Sequence, residues 1–144
     1  ARDLGVPFDL LKEVQRINRE VRARFVKKIR DALWVLRDKR IAVWGLTFKP
    51  DTDDVRSSVA IDVVNDLLAE GAKVRVYDPK GAVKARDFKL IEGAEFSESP
   101  LEAARDAEAL VIATEWEEFR NADLAAVKSV MHTPLVFDGR NLFN

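Results

Sequence analysis

The sequence predicts an α/β fold: a mostly parallel sheet of five or six strands, covered by helices on both faces and preceded by one long α-helix. Two observations support this prediction. Residues 9–44 contain neither glycine nor proline, and their apolar residues recur with a helical period. After residue 39, short apolar runs alternate with amphipathic segments. Such alternation is typical of a parallel sheet with helices on both sides.

The long helix is predicted over residues 9–36. A break at Pro7 and a possible cap at Asp9 precede it. At 1.5 Å per residue it would be roughly 40 Å long, which exceeds the diameter of a small domain. Part of its apolar stripe therefore needs another partner, and a second subunit or a further domain is the natural candidate. The predicted stripe comprises Leu10, Val14, Ile17, Val21, Phe25, Ile29 and Leu33 or Leu36.

Basic residues are concentrated around this helix, with ten Lys or Arg against three acids in residues 16–40. One interpretation is a face that binds phosphate or an acidic partner. The other is the solvated side of an amphipathic helix, and this one is favoured because charged residues commonly occupy that side.

The alternating region supplies the sheet. Strands are predicted at 41–46, 73–78, somewhere within 89–96, at 109–114 and at 135–138, and helices at 60–70, 83–87, 100–106 and 124–131. Gly71 is a helix stop, and Ser99 followed by Pro100 is a helix start. The sequence thus predicts a Rossmann-like three-layer domain over residues 39–144, preceded by a helical segment over residues 1–38.

Composition excludes several classes of function. The chain has 144 residues, 47% of them hydrophobic, which suits one domain with a real core. Its 24 basic and 25 acidic residues nearly balance, so nothing favours a nucleic-acid partner. No apolar run approaches the roughly 20 residues of a membrane span, and no signal peptide is visible. We expect neither nucleic acid nor membrane as partners, and a cytoplasmic location, with which the absence of cysteine is compatible.

Cysteine and histidine limit the chemistry further. Without cysteine there is no disulfide, no thiolate metal site and no thiol nucleophile. His132 is the one histidine, so a histidine-based metal cluster is impossible. Its place after a predicted helix and before Thr133-Pro134 indicates a surface or C-cap residue. We therefore predict no metal site.

A candidate binding site follows from the rule that ligands of open parallel sheets bind beyond the carboxyl ends of the strands. Lys49 follows the first predicted strand and Arg140 follows the last, and we expect these strands to be neighbours in the sheet. The aromatic residues Phe48 and Trp116 follow strands on the same edge. Cations suit the phosphates of a nucleoside diphosphate, and flat apolar rings suit its base or sugar. The alternatives are solvated loop charges and aromatic residues that only close the core.

Two features near the first strand bear on whether this site could bind a cation or a dinucleotide. Asp51, Asp53 and Asp54 resemble a cation site, but a helix N-cap is the favoured interpretation because Ser57, Ser58 and a predicted helix follow. The turn that begins at Gly45 reads GLTFKP rather than GxGxxG. The chain therefore carries no dinucleotide fingerprint of its own.

Four spaced motifs resemble those of the UDP-glucose/GDP-mannose dehydrogenase family, in order and over essentially the whole chain. Residues 45–58, GLTFKPDTDDVRSS, resemble the family's GLxFKPxTDDxRxS signature. Residues 76–79, VYDP, are similar to its second strand, and residues 137–141, FDGRN, to its closing DGRN. Residues 114–119, TEWEEF, resemble the TEWxxF segment typical of the UDP-glucose enzymes.

The resemblance implies an enzyme with an NAD-binding domain, a central dimerising helix and a C-terminal UDP-binding domain. Such an enzyme oxidises the C6 alcohol of UDP-glucose twice with two NAD+, through a catalytic cysteine in a GGxCFxKD-like segment. That segment would precede Ala1, so we expect this chain to be a C-terminal fragment with no catalytic residue and no activity alone. We expect a homodimer through the helix at residues 9–36.

Site residues are carried over only where the motifs match. The resemblance implies that Phe48, Lys49 and Arg140 bind the UDP-sugar, and that Arg56 reaches NAD bound mainly by the other domain. Asp54 and Trp116 are expected to have supporting roles. Two alternatives stay open: a dehydrogenase for GDP-mannose or a UDP-N-acetylhexosamine, and a non-catalytic nucleotide-binding or dimerisation module.

Overall fold

The computed structural model describes residues 8–47, 49–55 and 58–139 and confirms the α/β class. Its strands are β1 (Arg40–Trp44), β2 (Lys73–Tyr77), β3 (Glu95–Phe96), β4 (Ala109–Ile112) and β5 (Val136–Asp138). They form one five-stranded sheet in the order β3-β2-β1-β4-β5, and all its pairings are parallel. All five carboxyl ends therefore lie along the same edge.

Six helices are described. They are α1 (Phe8–Leu33), α2 (Val59–Ala69), α3 (Ala82–Asp87), α4 (Pro100–Ala104), α5 (Glu117–Arg120) and α6 (Leu124–Val130). Five of them were predicted. The sequence prediction missed α5, because four residues are too few to show a helical period. The predicted start of α4 is confirmed, since the Ser99 side chain accepts a hydrogen bond from the Glu102 N–H.

The end of α1 was predicted three residues too far along. The helix stops at Leu33 because Trp34 adopts φ 73°, which lies outside the helical region. Leu36 is nevertheless buried, as part of the connection into β1.

The core consists of two clusters, one on each face of the sheet. Alternate residues of β1 point to opposite faces. Ile41 and Val43 pack in one cluster together with α1 and α2, whereas Ala42 and Trp44 pack in the other with α4, α5 and α6. This two-sided burial explains the apolar run in β1, since both faces of the strand are covered.

The second half of α1 is docked on α2. Val26, Ile29 and Leu33 are buried in the same cluster as the sheet. Arg22 pairs with Asp66 at 2.9 Å, and Arg30 pairs with Glu70 at 2.7 Å. Arg22 and Arg30 are thus used to dock the helix, whereas other members of the basic run, such as Arg24, are exposed, as expected for the solvated side of an amphipathic helix. The division between a helical segment and a domain at residue 38 stays a prediction.

Two other expectations concern the surface. His132 is exposed, with Nδ1 3.1 Å from the hydroxyl of Thr133, which confirms a surface position. Across residues 8–47, 49–55 and 58–139, none of the helices has both the length and the apolar character that crossing a bilayer requires.

Candidate functional site

The segments that follow β1, β2 and β4 are held together at the carboxyl edge of the sheet. Thr47, just beyond β1, is almost completely buried. Its carbonyl accepts a hydrogen bond from the Thr114 hydroxyl at 3.0 Å, and its hydroxyl accepts one from the Trp116 indole at 3.2 Å. Its N–H donates to the Asp78 carboxylate at 3.2 Å. Every polar group of Thr47 is therefore engaged by a residue from another strand exit.

Gly45 makes this close approach possible. It has φ 103°, and its N–H donates to the Tyr77 carbonyl at 2.7 Å. A β-carbon at this position would lie 2.6 Å from both Cβ and Oγ1 of Thr114. Glycine is needed both for the positive φ and for the space that Thr114 already fills.

Asp78 is the centre of the arrangement, although no role was predicted for it from the sequence. The residue is only 4% exposed. One carboxylate oxygen accepts hydrogen bonds from the N–H groups of Leu46 (2.7 Å) and Thr47 (3.2 Å) and from the Trp116 indole (3.1 Å). The other accepts from the N–H groups of Lys80 (2.9 Å) and Gly81 (2.7 Å). The only indication in the sequence was the position of this acid between a strand and Pro79, and that position does not show that the carboxylate is buried.

Trp116 is a core residue and does not form a surface on which a ligand could stack. It is 6% exposed and belongs to the core cluster of Trp44 and Phe119. The hypothesis that its ring supplies a flat surface for a base or sugar is therefore wrong. Its indole N–H instead joins the exit of β4 to Thr47 and Asp78.

Tyr77 secures α5 beside this network. Its hydroxyl is 2.8 Å and 3.0 Å from the two carboxylate oxygens of Glu118, and its ring lies edge-on to Phe119. Burial, followed by the hydrogen bond to Glu118, raises the pKa of Tyr77 well above its ordinary value. The hydroxyl therefore stays protonated and continues to donate.

Lys49 lies two residues beyond the anchored Thr47. It is exposed, and within the part of the chain that the structure describes it forms no ion pair. The other three predicted site residues, Phe48, Arg56 and Arg140, lie outside the described residues.

One expectation about this edge needs correction. The strands before Lys49 and Arg140 were expected to be neighbours, but β4 lies between β1 and β5. With strands about 4.8 Å apart, their carboxyl ends are roughly 10 Å from each other.

The N-cap residue of α2 is Ser58, whose side chain forms no capping hydrogen bond. The prediction that one of the preceding aspartates occupies the N-cap position is therefore wrong. Asp53 pairs with Lys84 at 3.2 Å, and the Asp54 N–H donates to the Thr52 hydroxyl. Within the described ranges, no group of three or more potential ligands is placed to hold a metal ion.

A cleft of about 280 Å³ opens beside the ends of β4 and β5. It is mostly apolar, and Arg22, the one charged residue among its described lining residues, is already paired with Asp62 and Asp66. The cleft thus offers apolar surface next to Gly139, the residue that precedes Arg140. Its lining comprises Val21, Arg22, Phe25, Val59, Ala60, Val63, Ile112, Ala113 and Gly139.

The turn after β1 does not fit the pyrophosphate of a dinucleotide. In a dinucleotide fold the glycines of this turn leave room for the phosphates. Here the space beside Gly45 is filled by Thr114 at 2.6–2.7 Å. The space that a dinucleotide-binding turn leaves for the phosphates is therefore absent beside Gly45.

Comparison with known proteins gives concordant results. Residues 42–144 match the UDP binding domain of the UDP-glucose/GDP-mannose dehydrogenase family. A UDP-glucose 6-dehydrogenase from Rhizobium meliloti is 48% identical over 99% of this chain and 32% of its own length. The fold is also similar to a UDP-glucose dehydrogenase from Pyrobaculum islandicum, with TM-score 0.82 and 33% identity over 99% of this chain and 31% of the other.

A third similar protein acts on a different sugar nucleotide. The structure of a UDP-D-ManNAc dehydrogenase from Pyrococcus horikoshii has TM-score 0.79 and 29% identity, over 96% of this chain and 31% of the other. The chain spans about a third of the length of the relatives that it matches.

Proposed function

This chain belongs to the UDP-glucose/GDP-mannose dehydrogenase family, and on that premise we propose that it binds the UDP part of a UDP-sugar for an NAD-dependent dehydrogenase. The favoured substrate is UDP-glucose, oxidised at C6 to UDP-glucuronate by the whole enzyme. The chain has no cysteine to serve as the nucleophile of that reaction. Its own contribution is to bind and orient the substrate.

One observation carries this proposal: an exposed lysine that has no ion pair among the described residues lies two residues beyond a rigid anchor. Thr47 is bonded at its N–H, carbonyl and hydroxyl, and Lys49 stands two residues further on. A lysine ammonium is a point charge well suited to phosphate oxygens. In this proposal Lys49 binds the diphosphate together with Arg140, and Phe48 contacts the nucleotide sugar. The same proposal assigns Arg56 a contact with NAD, which other parts of the enzyme hold.

The proposal predicts that Lys49→Ala weakens UDP binding about 10- to 100-fold, the range expected for a hydrogen bond to a charged group. Titration calorimetry with UDP, UDP-glucose and GDP-mannose measures this. Lys73→Ala is the matched control, because Lys73 is an exposed lysine at the opposite end of a strand. We expect the control to bind as the unchanged chain does, and GDP-mannose to bind more weakly than either uridine nucleotide.

Equal affinity for all three nucleotides would remove the UDP assignment. Equal losses in Lys49→Ala and Lys73→Ala would remove the role of Lys49, since a general charge effect would then explain both. A UDP-N-acetylhexosamine is the second candidate substrate, favoured by the likeness to the UDP-D-ManNAc dehydrogenase. Turnover of a full-length enzyme on each sugar nucleotide separates these candidates.

We also propose that the chain forms a homodimer through α1, because part of the apolar stripe of this helix is exposed. At 3.6 residues per turn, Leu10, Ile17 and Val21 lie within about 40° of one another. They are 52%, 45% and 50% exposed. Their direction is about 130° away from that of Val26, Ile29 and Leu33, which are buried against the sheet. Two helices that bury such stripes against each other would remove both from water.

The double substitution Ile17→Glu and Val21→Glu is therefore expected to convert the dimer into a monomer, because negative charges would face each other in an apolar contact. Sedimentation equilibrium measures the mass. Arg19→Glu is the control, since Arg19 is exposed on the opposite side of α1. A monomeric unchanged chain, or a double variant that stays dimeric, would contradict this proposal.

A further inference from the structure

The buried carboxylate of Asp78 joins three strand exits and has only N–H donors around it. Two donors follow β1, two follow β2, and the fifth is the indole of Trp116 beyond β4. Within the described residues, no lysine or arginine pairs with it. The negative charge is therefore balanced by oriented backbone and indole dipoles.

The five N–H donors around Asp78 require acceptors on both side-chain oxygens. An ionised carboxylate provides these acceptors, whereas the amide of asparagine does not. A carboxylate is acceptor-only, with two oxygens that can each take more than one hydrogen bond. An asparagine of the same shape would turn an NH2 group toward N–H donors on one side. Buried donors without acceptors are costly, so the strand exits would have to separate or admit water.

We infer that Asp78 is the positioning residue for the loop that leads from β1 to Lys49. It binds the N–H groups of Leu46 and Thr47, and Thr47 lies two residues before Lys49. The remaining polar groups of Thr47 are bound by Thr114 and Trp116, and Trp116 is itself held by Asp78. The inference deepens the proposed function and rests on it for the role of Lys49.

The loss of Asp78 is expected to affect the position of Lys49 and not only the stability of the fold. Within the described part of the chain, Lys49 has no ion pair of its own to hold it. Its place at the edge of the sheet is set by the backbone that leads to it. When that backbone is fixed, binding a phosphate costs less conformational entropy. When Asp78 no longer holds Leu46 and Thr47, the same lysine must be ordered during binding.

The test compares Asp78→Asn with Leu67→Ala, a core variant that also lowers stability. Leu67 is fully buried near the end of α2, at the amino end of the sheet and away from the loop. Two quantities are measured on each folded variant: UDP affinity, and hydrogen exchange of the Leu46 and Thr47 amides relative to the Val76 and Val111 amides. Trp116→Phe is the milder variant, since it removes one donor and keeps a ring.

We expect Asp78→Asn to weaken UDP binding by about tenfold or more, and to speed exchange of the Leu46 and Thr47 amides by about 100-fold. The amides of Val76 and Val111 should keep their protection relative to Leu67→Ala. Leu67→Ala should bind UDP as the unchanged chain does. Trp116→Phe should shift both quantities in the same direction by a smaller factor, and it decides the matter if Asp78→Asn does not fold.

The inference is overturned if Asp78→Asn and Trp116→Phe change affinity and loop exchange no more than Leu67→Ala does. Failure of the proposed function has a different signature, namely that the unchanged chain binds no UDP. In that case the exchange data still decide. Selective loosening of Leu46 and Thr47 supports the positioning role, and its absence rejects it.

Discussion

Gly45→Ala is expected to lower the free energy of unfolding by about 2–5 kcal/mol. A positive φ costs a residue with a β-carbon about 1–2 kcal/mol, and overpacking adds about 1–3 kcal/mol. Both terms apply here, since Gly45 has φ 103° and its β-carbon would meet Thr114 at 2.6 Å. Thr114 cannot yield easily, because its hydroxyl is bonded to the Thr47 carbonyl. Equilibrium unfolding in urea measures the loss.

Gly93→Ala is the matched control for this variant. Gly93 has φ 95°, but the nearest atom to its β-carbon position is a methyl group of Leu68 at 4.0 Å. Only the backbone term of about 1–2 kcal/mol should therefore appear. The difference between the two variants isolates the close approach of β1 and β4. Equal losses would mean that Thr114 moves aside at little cost, which would refute the tight contact.

Trp44→Ala is expected to cost about 3–5 kcal/mol, the usual range when a large aromatic core side chain is truncated. Trp44 is fully buried, its ring centroid lies 5.1 Å from that of Phe119, and its indole N–H donates to the Pro100 carbonyl at 3.0 Å. Truncation would leave a cavity between β1, α4 and α5. Urea unfolding monitored by circular dichroism measures this, because the spectrum does not depend on the lost tryptophan alone.

Trp34→Ala provides the comparison, since the same side chain is removed from the surface. Trp34 is 89% exposed. The change should therefore alter stability by no more than about 0.5 kcal/mol. Alanine would occupy the same left-handed backbone position as tryptophan, so the strain at φ 73° largely cancels. A loss as large as that of Trp44→Ala would show that Trp34 is packed in solution.

Much of the fold could be predicted because it depends on local patterns. The apolar run from Ile41 to Leu46 predicted a strand covered on both faces, and the structure covers both faces of β1. Ser99 and Pro100 predicted the start of α4. The end of α1 could not be predicted, because nothing in its period shows that Trp34 leaves the helical region.

Less of the candidate site could be predicted. The rule that ligands bind at the carboxyl edge of the sheet selects Lys49 as a candidate, because Lys49 follows a predicted strand. Applying the rule requires no knowledge of the strand order. It cannot identify Asp78, because an aspartate after a strand is equally suited to a solvated turn. It also misjudged Trp116, whose indole reaches back 38 and 69 residues in the sequence to Asp78 and Thr47.

The sequence by itself determined the family, the order of the strands and of every described helix except α5, the absence of cysteine from this chain, and which edge of the sheet carries Lys49. These properties reside in consecutive residues and their spacing. Only the tertiary structure decided that β4 separates β1 from β5, that Trp116 is buried while Trp34 is exposed, and that Asp78 holds three strand exits. The reason is physical: burial and hydrogen bonding depend on which distant segments meet, and residues as far apart as Thr47 and Trp116 meet only when the sheet has formed.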